Sequence, residues 1–318
     1  MRNVAIIGAG MAGLAAAERL RSAGHKTVIF EKSRGFGGRL ATRRSGDFQF
    51  DHGAQYFTAR GAEFFRTISA WQAQGLVAEW APGSYVGRPS MTAPARFMAK
   101  NHLCITESLV TRLERGQTGW RLFDDKGAIE APGNGSFDGV ILAVPAPQAE
   151  PLARSAGAKL PQLAQVRYAP CIALMLAYEP ETRAANDQWM RPDDSVIGWI
   201  AKNSSKPGRP QDAQAWVIHA RADWSRQHLD EDPRVSGEIL YAHFKALTGI
   251  DAEPLYFAAH RWRYALVEQE VGLPCLFDEE RMIGACGDWC LGARVEAAFE
   301  SGCAMGDTLA DALAEIPA

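Results

Sequence analysis

VAIIGAGMAGLAAAERL, residues 4–20, decides the fold of this chain. Val4–Ile7 is a short apolar run that reads as a buried strand. Gly8, Gly10 and Gly13 follow at the spacing G-x-G-x-x-G. Gly8 permits the tight turn after the strand, Gly10 lets backbone approach a pyrophosphate, and Gly13 lets the next helix pack closely on the sheet. The helix, read from Met11 to Ala23, offers free N–H groups to the anion. KTVIF, residues 26–30, supplies a second strand ending at Glu31. That acid lies 21 residues beyond Gly10, where a carboxylate can accept both ribose hydroxyls. Strand, glycines, helix, strand and acid in register predict a right-handed β-α-β unit that holds a dinucleotide. Glu31 argues against a 2′-phosphate at this position, because two negative charges would meet.

Composition sets the outer bounds. The 318 residues suggest two domains, and an apolar fraction of 47% supports a sizeable core. A net charge of −3 argues against nucleic acid or an anionic membrane as the main partner, since both need a broad basic field. Local basic clusters remain open. Six cysteines form no C-x-x-C pair and read as free thiols of a reducing, cytoplasmic compartment. The apolar stretch at 4–17 ends at Glu18 and Arg19, too short to span a bilayer, so neither a targeting segment nor a membrane contact is expected. Seven histidines show no H-x-x-x-H or H-E-x-x-H spacing, and no metal site is expected.

Further along, EKSRGFGGRLATRR at 31–44 reads as a loop rich in Arg and Gly. AEFFRTISAWQAQGLVAEW, from 62, reads as an amphipathic helix plus a strand, followed by a loop, APGSYVGRPSM, at 81–91. Residues 103–130 alternate in strand fashion around a turn at Gly116–Gly119. FDGVILAVPAPQAEPL, from 137, reads as a buried strand entering a Pro-bounded turn. IALMLAY, SVIGWIA and AWVIHAR are apolar strands, with one helix in DPRVSGEILYAHFKAL. A short strand in RMIGACGD and a final helix from about Arg294 to Ala314 close the chain. The expected fold is α/β and two-domain: a Rossmann-like dinucleotide domain from residues 1–60, 95–150 and 265–318, with a strand-rich α+β substrate domain from 61–94 and 151–264.

The glycine fingerprint, GGR at 37–39, DHGAQYF at 51–57, VILAVPAPQA at 140–149, HRWRYA at 260–265 and GDW at 287–289 occur in this order. Together they resemble the flavin-containing amine oxidase superfamily, and within it the bacterial renalase-like proteins. That resemblance implies FAD. It implies that Asp288 hydrogen-bonds the ribityl or pyrophosphate region, and that the helix after it, through Arg294, Val295 and Ala298, points its N-terminus at the N1/C2 edge of the flavin. The positive end of a helix dipole suits an anionic reduced flavin. The bland reading of Asp288 is a helix N-cap, for which Asp is suited. The resemblance also places the backbone of Val110 at the adenine, where a plain strand valine would look identical.

The remaining cofactor candidates are Gly8, Gly10, Met11, Ala12 and Gly13 of the turn, Glu31, Lys32, Gly38, Arg39, Ala54, Gln55 and Tyr56. Arg39 can reach phosphate from within its glycine motif. Lys32 could meet phosphate or ribose, or simply be solvated. No cysteine matches the Ser-Gly-Gly-Cys-Tyr setting of covalent-flavin members, so noncovalent FAD is expected. His219, Trp262, Trp289 and Tyr56 are the substrate-facing, catalytic candidates, although His219 reads equally as a hydrogen-bonded core histidine and both tryptophans as core aromatics. Renalase-like proteins imply a small-molecule substrate, a 2- or 6-dihydro isomer of NAD(P), whose hydride passes to flavin and then to O2, giving NAD(P)+ and H2O2. An amine or amino-acid oxidase is the alternative enzyme. A carotenoid-type desaturase would need an apolar tunnel that the polar loop at 202–210 does not suggest. A flavin-binding redox-sensing module is the non-enzymatic alternative.

Overall fold

The computed structural model describes residues 1–130, 135–184 and 188–316. β1 (Asn3–Ile7), α1 (Met11–Ser22) and β2 (Lys26–Phe30) form the expected β-α-β unit, with Ile6 paired in parallel to Ile29. A hairpin of β3 (Thr42–Ser45) and β4 (Phe48–Asp51) follows, then α2 (Ala62–Ala73), a hairpin of β5 (Val77–Ala81) and β6 (Ser84–Gly87), and α3 (Ala93–Ala99). β7 (Leu103–Ile105), β8 (Arg112–Gly116), β9 (Gly119–Phe123) and β10 (Gly139–Leu142) lead to α4 (Ala146–Ser155). Next come β11 (Arg167–Tyr178), β12 (Trp189–Met190), β13 (Ile197–Lys202), β14 (Gln214–Ala220), α5 (Ala222–Gln227), α6 (Pro233–Thr248) and β15 (Tyr256–Gln269). β16 (Leu276–Asp278), β17 (Ile283–Ala285) and α7 (Val295–Glu315) close the described chain.

The first sheet runs β16-β17-β10-β1-β2-β7 and draws strands from both ends of the sequence. All its pairings are parallel except β16 with β17. Val4, Ala5 and Ile6 are fully buried, as a parallel strand covered on both faces requires. Burying an aliphatic side chain of this size stabilises by about 1.5–3 kcal/mol. α1 and α7 approach through small residues. A Cβ on Gly302 would lie 2.1 Å from the Ala12 carbonyl oxygen, and one on Gly306 would lie 2.6 Å from Arg19 Cβ. This close contact fastens the opening β-α-β unit to the last helix.

The second sheet is antiparallel, in the order β12-β13-β14-β11-β15. Its register brings distant residues into line. Trp199 stands opposite His219, His219 opposite Ala173, and Ala173 opposite His260. Directly opposed residues share a face, so Trp199, His219 and His260 form one row across four strands. Trp262, two residues beyond His260, occupies the next row opposite Cys171.

Several local expectations change. Residues 81–91, read as a loop, contain β6, because Gly83 at φ +69° turns the chain back onto β5. The expected turn after Leu142 is helix α4, whose Pro147 sits in the first turn, where a missing N–H is tolerated. Phe64, Ile68, Trp71, Val86 and Met91, in the segment expected with the substrate domain, share a hydrophobic core with α1 and α7. Residue 265, expected as a domain boundary, lies inside β15. Among the described residues, no helix is long and apolar enough to cross a membrane.

Candidate active site

One cleft of about 2150 Å3 runs between the two sheets. Of the residues singled out in the sequence, all but Gly13 line it. Gly13 lies beneath the turn, where a Cβ would come within 2.1 Å of the Gly8 carbonyl oxygen. Gly10 caps α1 without a side-chain hydrogen bond, and a Cβ there would meet nothing within 4 Å. The helix N-terminus is therefore open to an anion, and the backbone is free for close approach. Glu31, 7% exposed, is held by backbone: Ala9 N–H donates to Oε2 at 2.9 Å and Ser33 N–H to Oε1 at 2.8 Å. Each carboxylate oxygen keeps a further lone pair for a ribose hydroxyl. Lys32 reaches Gln148 Oε1 at 3.2 Å, and Val110 lies buried along the same end of the cleft.

Midway, the two residues expected to grip the cofactor separately grip each other. Arg39 Nη1 and Nη2 donate to Asp288 Oδ2 and Oδ1, each at 2.7 Å. Burial alone would depress the guanidinium, and Asp288 more than offsets this, so its pKa is raised. Nη1 also donates to the Ala265 carbonyl at 3.3 Å, which leaves Nε and one Nη2 hydrogen for a phosphate. Gly37 stacks the GGR loop directly on the dinucleotide turn, its N–H donating to the Ala9 carbonyl at 2.8 Å. At the far end α7 begins at Arg294, again without a side-chain cap, with Val295 and Ala298 on the cleft. Arg294 Nε is buried and unpartnered there.

The substrate candidates separate. Trp289 is fully buried, and its indole N–H donates to the Val144 carbonyl at 3.1 Å. It supports the loop before α7 from within the core, so its expected role as a substrate wall is corrected. His219 and Trp262 converge from the sheet on one atom: His219 Nε2 lies 3.1 Å and Trp262 Nε1 2.9 Å from the His52 carbonyl oxygen. Burial lowers the His219 imidazole to about 4 and keeps it neutral. Gln55 is fixed at both ends, Nε2 donating to the carbonyls of Asp51 (2.5 Å) and Gly53 (3.0 Å) while Oε1 accepts from Lys206 Nζ at 3.2 Å. Tyr56 faces the Trp199 ring at 5.8 Å, and Arg191 caps this corner, 4.9 Å above Trp199 with Nη2 3.3 Å from the Tyr56 hydroxyl.

Several of these partners were not singled out in the sequence. His52 lies between His260 and Trp262, with ring centroids at 4.9 and 5.1 Å. The alternation His260-x-Trp262 on a strand is the one local signal that could have joined them. Behind this wall Asp51, Lys206 and Arg209 form a fully buried ion cluster, with Arg209 Nη2 2.6 Å and Lys206 Nζ 3.4 Å from Asp51 Oδ2. Burial would raise the Asp51 carboxyl, but Lys206 and Arg209 hold it down at about 2. Burial also lowers Lys206, to about 8. No sequence spacing joins Asp51 to a polar loop some 150 residues away.

Comparison with known proteins agrees with this geometry. The family model for NAD(P)-binding Rossmann-like domains matches residues 6–71, and the model for flavin containing amine oxidoreductase matches residues 81–305. Cyclohexylamine oxidase from Brevibacterium oxydans IH-35A aligns over 99% of this chain and 100% of its own, with a TM-score of 0.72 and 13% identity. Putrescine oxidase, solved with putrescine bound, aligns over 99% of both chains with a TM-score of 0.66 and 16% identity. Both likenesses concern the fold. A 4,4'-diapophytoene desaturase from Staphylococcus aureus (strain Newman) is 50% identical over 51 residues, which span 16% of this chain and 10% of that protein. The cleft has the parts that FAD needs, namely two open helix N-termini, a ribose acid and a guanidinium with donors to spare, and the second model matches well over half the sequence. The chain belongs to the flavin-containing amine oxidoreductase family, and its cofactor is FAD.

Proposed function

We propose that this FAD enzyme oxidises a 2- or 6-dihydro isomer of NAD(P) to NAD(P)+. The observation that carries this reading is the charge of the cleft wall. Eleven arginines line it, against three carboxylates among the described residues. Each carboxylate is already engaged: Glu31 by two backbone N–H groups, Asp288 by Arg39, and Asp223 by Arg226 at 3.1 Å. None of the three carboxylates is unpaired, and Arg191 already covers the Trp199 face where a substrate ammonium would dock. A dinucleotide, with its pyrophosphate, suits this field.

The chemistry that FAD supplies when bound is two-electron: it takes hydride from the dihydropyridine carbon and delivers two electrons, with two protons, to O2 as H2O2. Loss of hydride restores an aromatic pyridinium, so no proton need leave the substrate first. The protein's part is positioning and electrostatics. Tyr56, Trp199 and Trp262 offer aromatic surface for a planar ring, while the open N-terminus of α7 and Arg294 hold positive potential at one end of the cleft.

An amine or amino-acid oxidase is the second reading, and the family match favours it. Anaerobic titration of the yellow protein with 2- and 6-dihydro-NAD(P) and with simple amines separates the two. Bleaching of the flavin by a dihydro isomer supports the proposal, and bleaching by amines alone overturns it.

A further inference from the structure

Lys206 is a buried cation that charge balance does not require. It is 1% exposed and does not line the cleft. Its cluster holds two cations and one carboxylate, and among the described residues no second acid pairs with either cation. Asp51 is satisfied without it. Oδ2 accepts from Arg209 Nε at 3.0 Å and Nη2 at 2.6 Å, and Oδ1 accepts from the Thr42 hydroxyl at 2.7 Å and the Met91 N–H at 3.1 Å. Lys206 Nζ stands off from Asp51 at 3.4 Å and comes closer, to 3.2 Å, to Gln55 Oε1. Burying a cation that its counter-ion does not need is unfavourable. Its nearest acceptor points to what it holds.

Gln55 belongs to a thin span of the cleft wall. On one side of this span the Ala54 N–H donates to the carbonyl of Arg39 at 2.8 Å, and Arg39 is part of the cofactor grip. On the other side the His52 carbonyl accepts from His219 and Trp262 of the second sheet. Gly53 lies between. A Cβ there would come within 2.1 Å of the Arg39 carbonyl oxygen and 3.4 Å of Trp262 Cζ2. One residue of backbone therefore separates the cofactor grip from the aromatic wall. Gln55 ties this span from behind, its Nε2 donating to the carbonyls of Asp51 and Gly53. An amide that spends both hydrogens this way turns its oxygen into the interior, where an unpaired acceptor would be costly. Lys206 supplies the donor.

We propose that Lys206 is a positioning residue: acting through Gln55, it fixes residues 53–55 and thereby the spacing between the flavin and the second-sheet wall. This holds whichever donor the enzyme oxidises.

The test uses the FAD-loaded enzyme with Lys206→Met, which fills the space without a donor, and Lys206→Gln, which returns an uncharged N–H. Asp51 keeps Arg209, so Lys206→Met should unfold at a denaturant midpoint no lower than wild type. The visible circular dichroism of its flavin, recorded with no donor present, should differ from wild type. Its limiting rate of anaerobic flavin reduction should fall about tenfold, with the half-saturating donor concentration changed by less than about twofold. The donor is 2- or 6-dihydro-NAD or benzylamine, whichever bleaches the wild type. Lys206→Gln should recover most of both signals. Gln55→Leu should slow reduction at least as much as Lys206→Met, and combining the two should slow it no further, because both break one link. Unchanged dichroism and rate in Lys206→Met, additive losses in the double variant, or no recovery in Lys206→Gln would each overturn the assignment. So would a midpoint that falls together with the rate, which is the mark of a purely structural role. If no donor bleaches the wild type, the proposed function fails, and the dichroism of the two Lys206 variants still decides this assignment.

Discussion

Arg39 and Asp288 meet in a two-pronged ion pair, with both nitrogen–oxygen distances 2.7 Å, across 249 residues of sequence. The pair joins the GGR loop to the turn before α7, so each half of the cofactor cleft holds the other. Asp288→Ala removes the acid and leaves Arg39 without its counter-charge. FAD affinity should fall by about 1.5–3 kcal/mol, the range for a hydrogen bond to a charged group. Flavin retention on a desalting column, followed by titration of the apoprotein, measures it. Retention equal to wild type would contradict the role given to this pair.

Noncovalent attachment is the second prediction. Among the cysteines, Cys171 lines the cleft, and burial pushes its thiol up to about 12, far from a reactive thiolate. Heat or acid precipitation should release the yellow colour into the supernatant. Colour that stays in the pellet would contradict this.

The third concerns the Asp51 cluster. Removing the carboxylate leaves Lys206 and Arg209 buried without compensation, which should lower stability by about 3–5 kcal/mol. Chemical denaturation of Asp51→Ala against wild type checks it. The folded carboxyl, at about 2, sits below its unfolded value, so its contribution is full above about pH 4 and disappears as pH falls towards 2. A midpoint within experimental error of wild type at neutral pH would show the cluster to be neutral in energy.

Acid sensitivity should begin earlier than this carboxyl alone would set it. His219 and His52 titrate at about 4 and about 3 in the folded chain, below the unfolded value near 6.5. The unfolded chain takes up these protons first, so stability falls as pH drops from about 6.5 to 4. Each histidine contributes a slope of about 1.4 kcal/mol per pH unit. Thermal melts of His219→Leu should show a shallower loss over this range than wild type.

Legibility in the sequence followed the range of each contact. The dinucleotide turn and Glu31 are read from local spacing, because one strand, one turn and one helix place them. The row Trp199, His219, His260 runs through Ala173 and depends on the register of four strands whose row positions are up to 87 residues apart, and no local pattern carries register. His219 could still be singled out as a polar residue within an apolar strand, and Trp262 as the aromatic of the HRWRYA motif. His52 could not, because its importance comes from what surrounds it. Trp289 shows the opposite failure. Its motif marks the cofactor turn, but the motif does not say which of its side chains faces inward. Helix α4 was missed because its three prolines resemble a turn, although two of them sit where a helix begins.

The central claim is hydride transfer from an anionic dihydronicotinamide without an essential base. Anaerobic stopped-flow reduction of the FAD enzyme by 2- and 6-dihydro-NAD, from about pH 6 to 9, tests it most directly. His219 and His52, lowered by burial to about 4 and about 3, titrate below this window, and hydride departure needs no proton removed. The predicted result is rapid bleaching by a dihydro isomer with a nearly flat rate, and only a modest slowing in His219→Ala. A rate that climbs steeply through a histidine-like midpoint and loses that step in His219→Ala, or bleaching by simple amines and by no dihydronicotinamide, would contradict it.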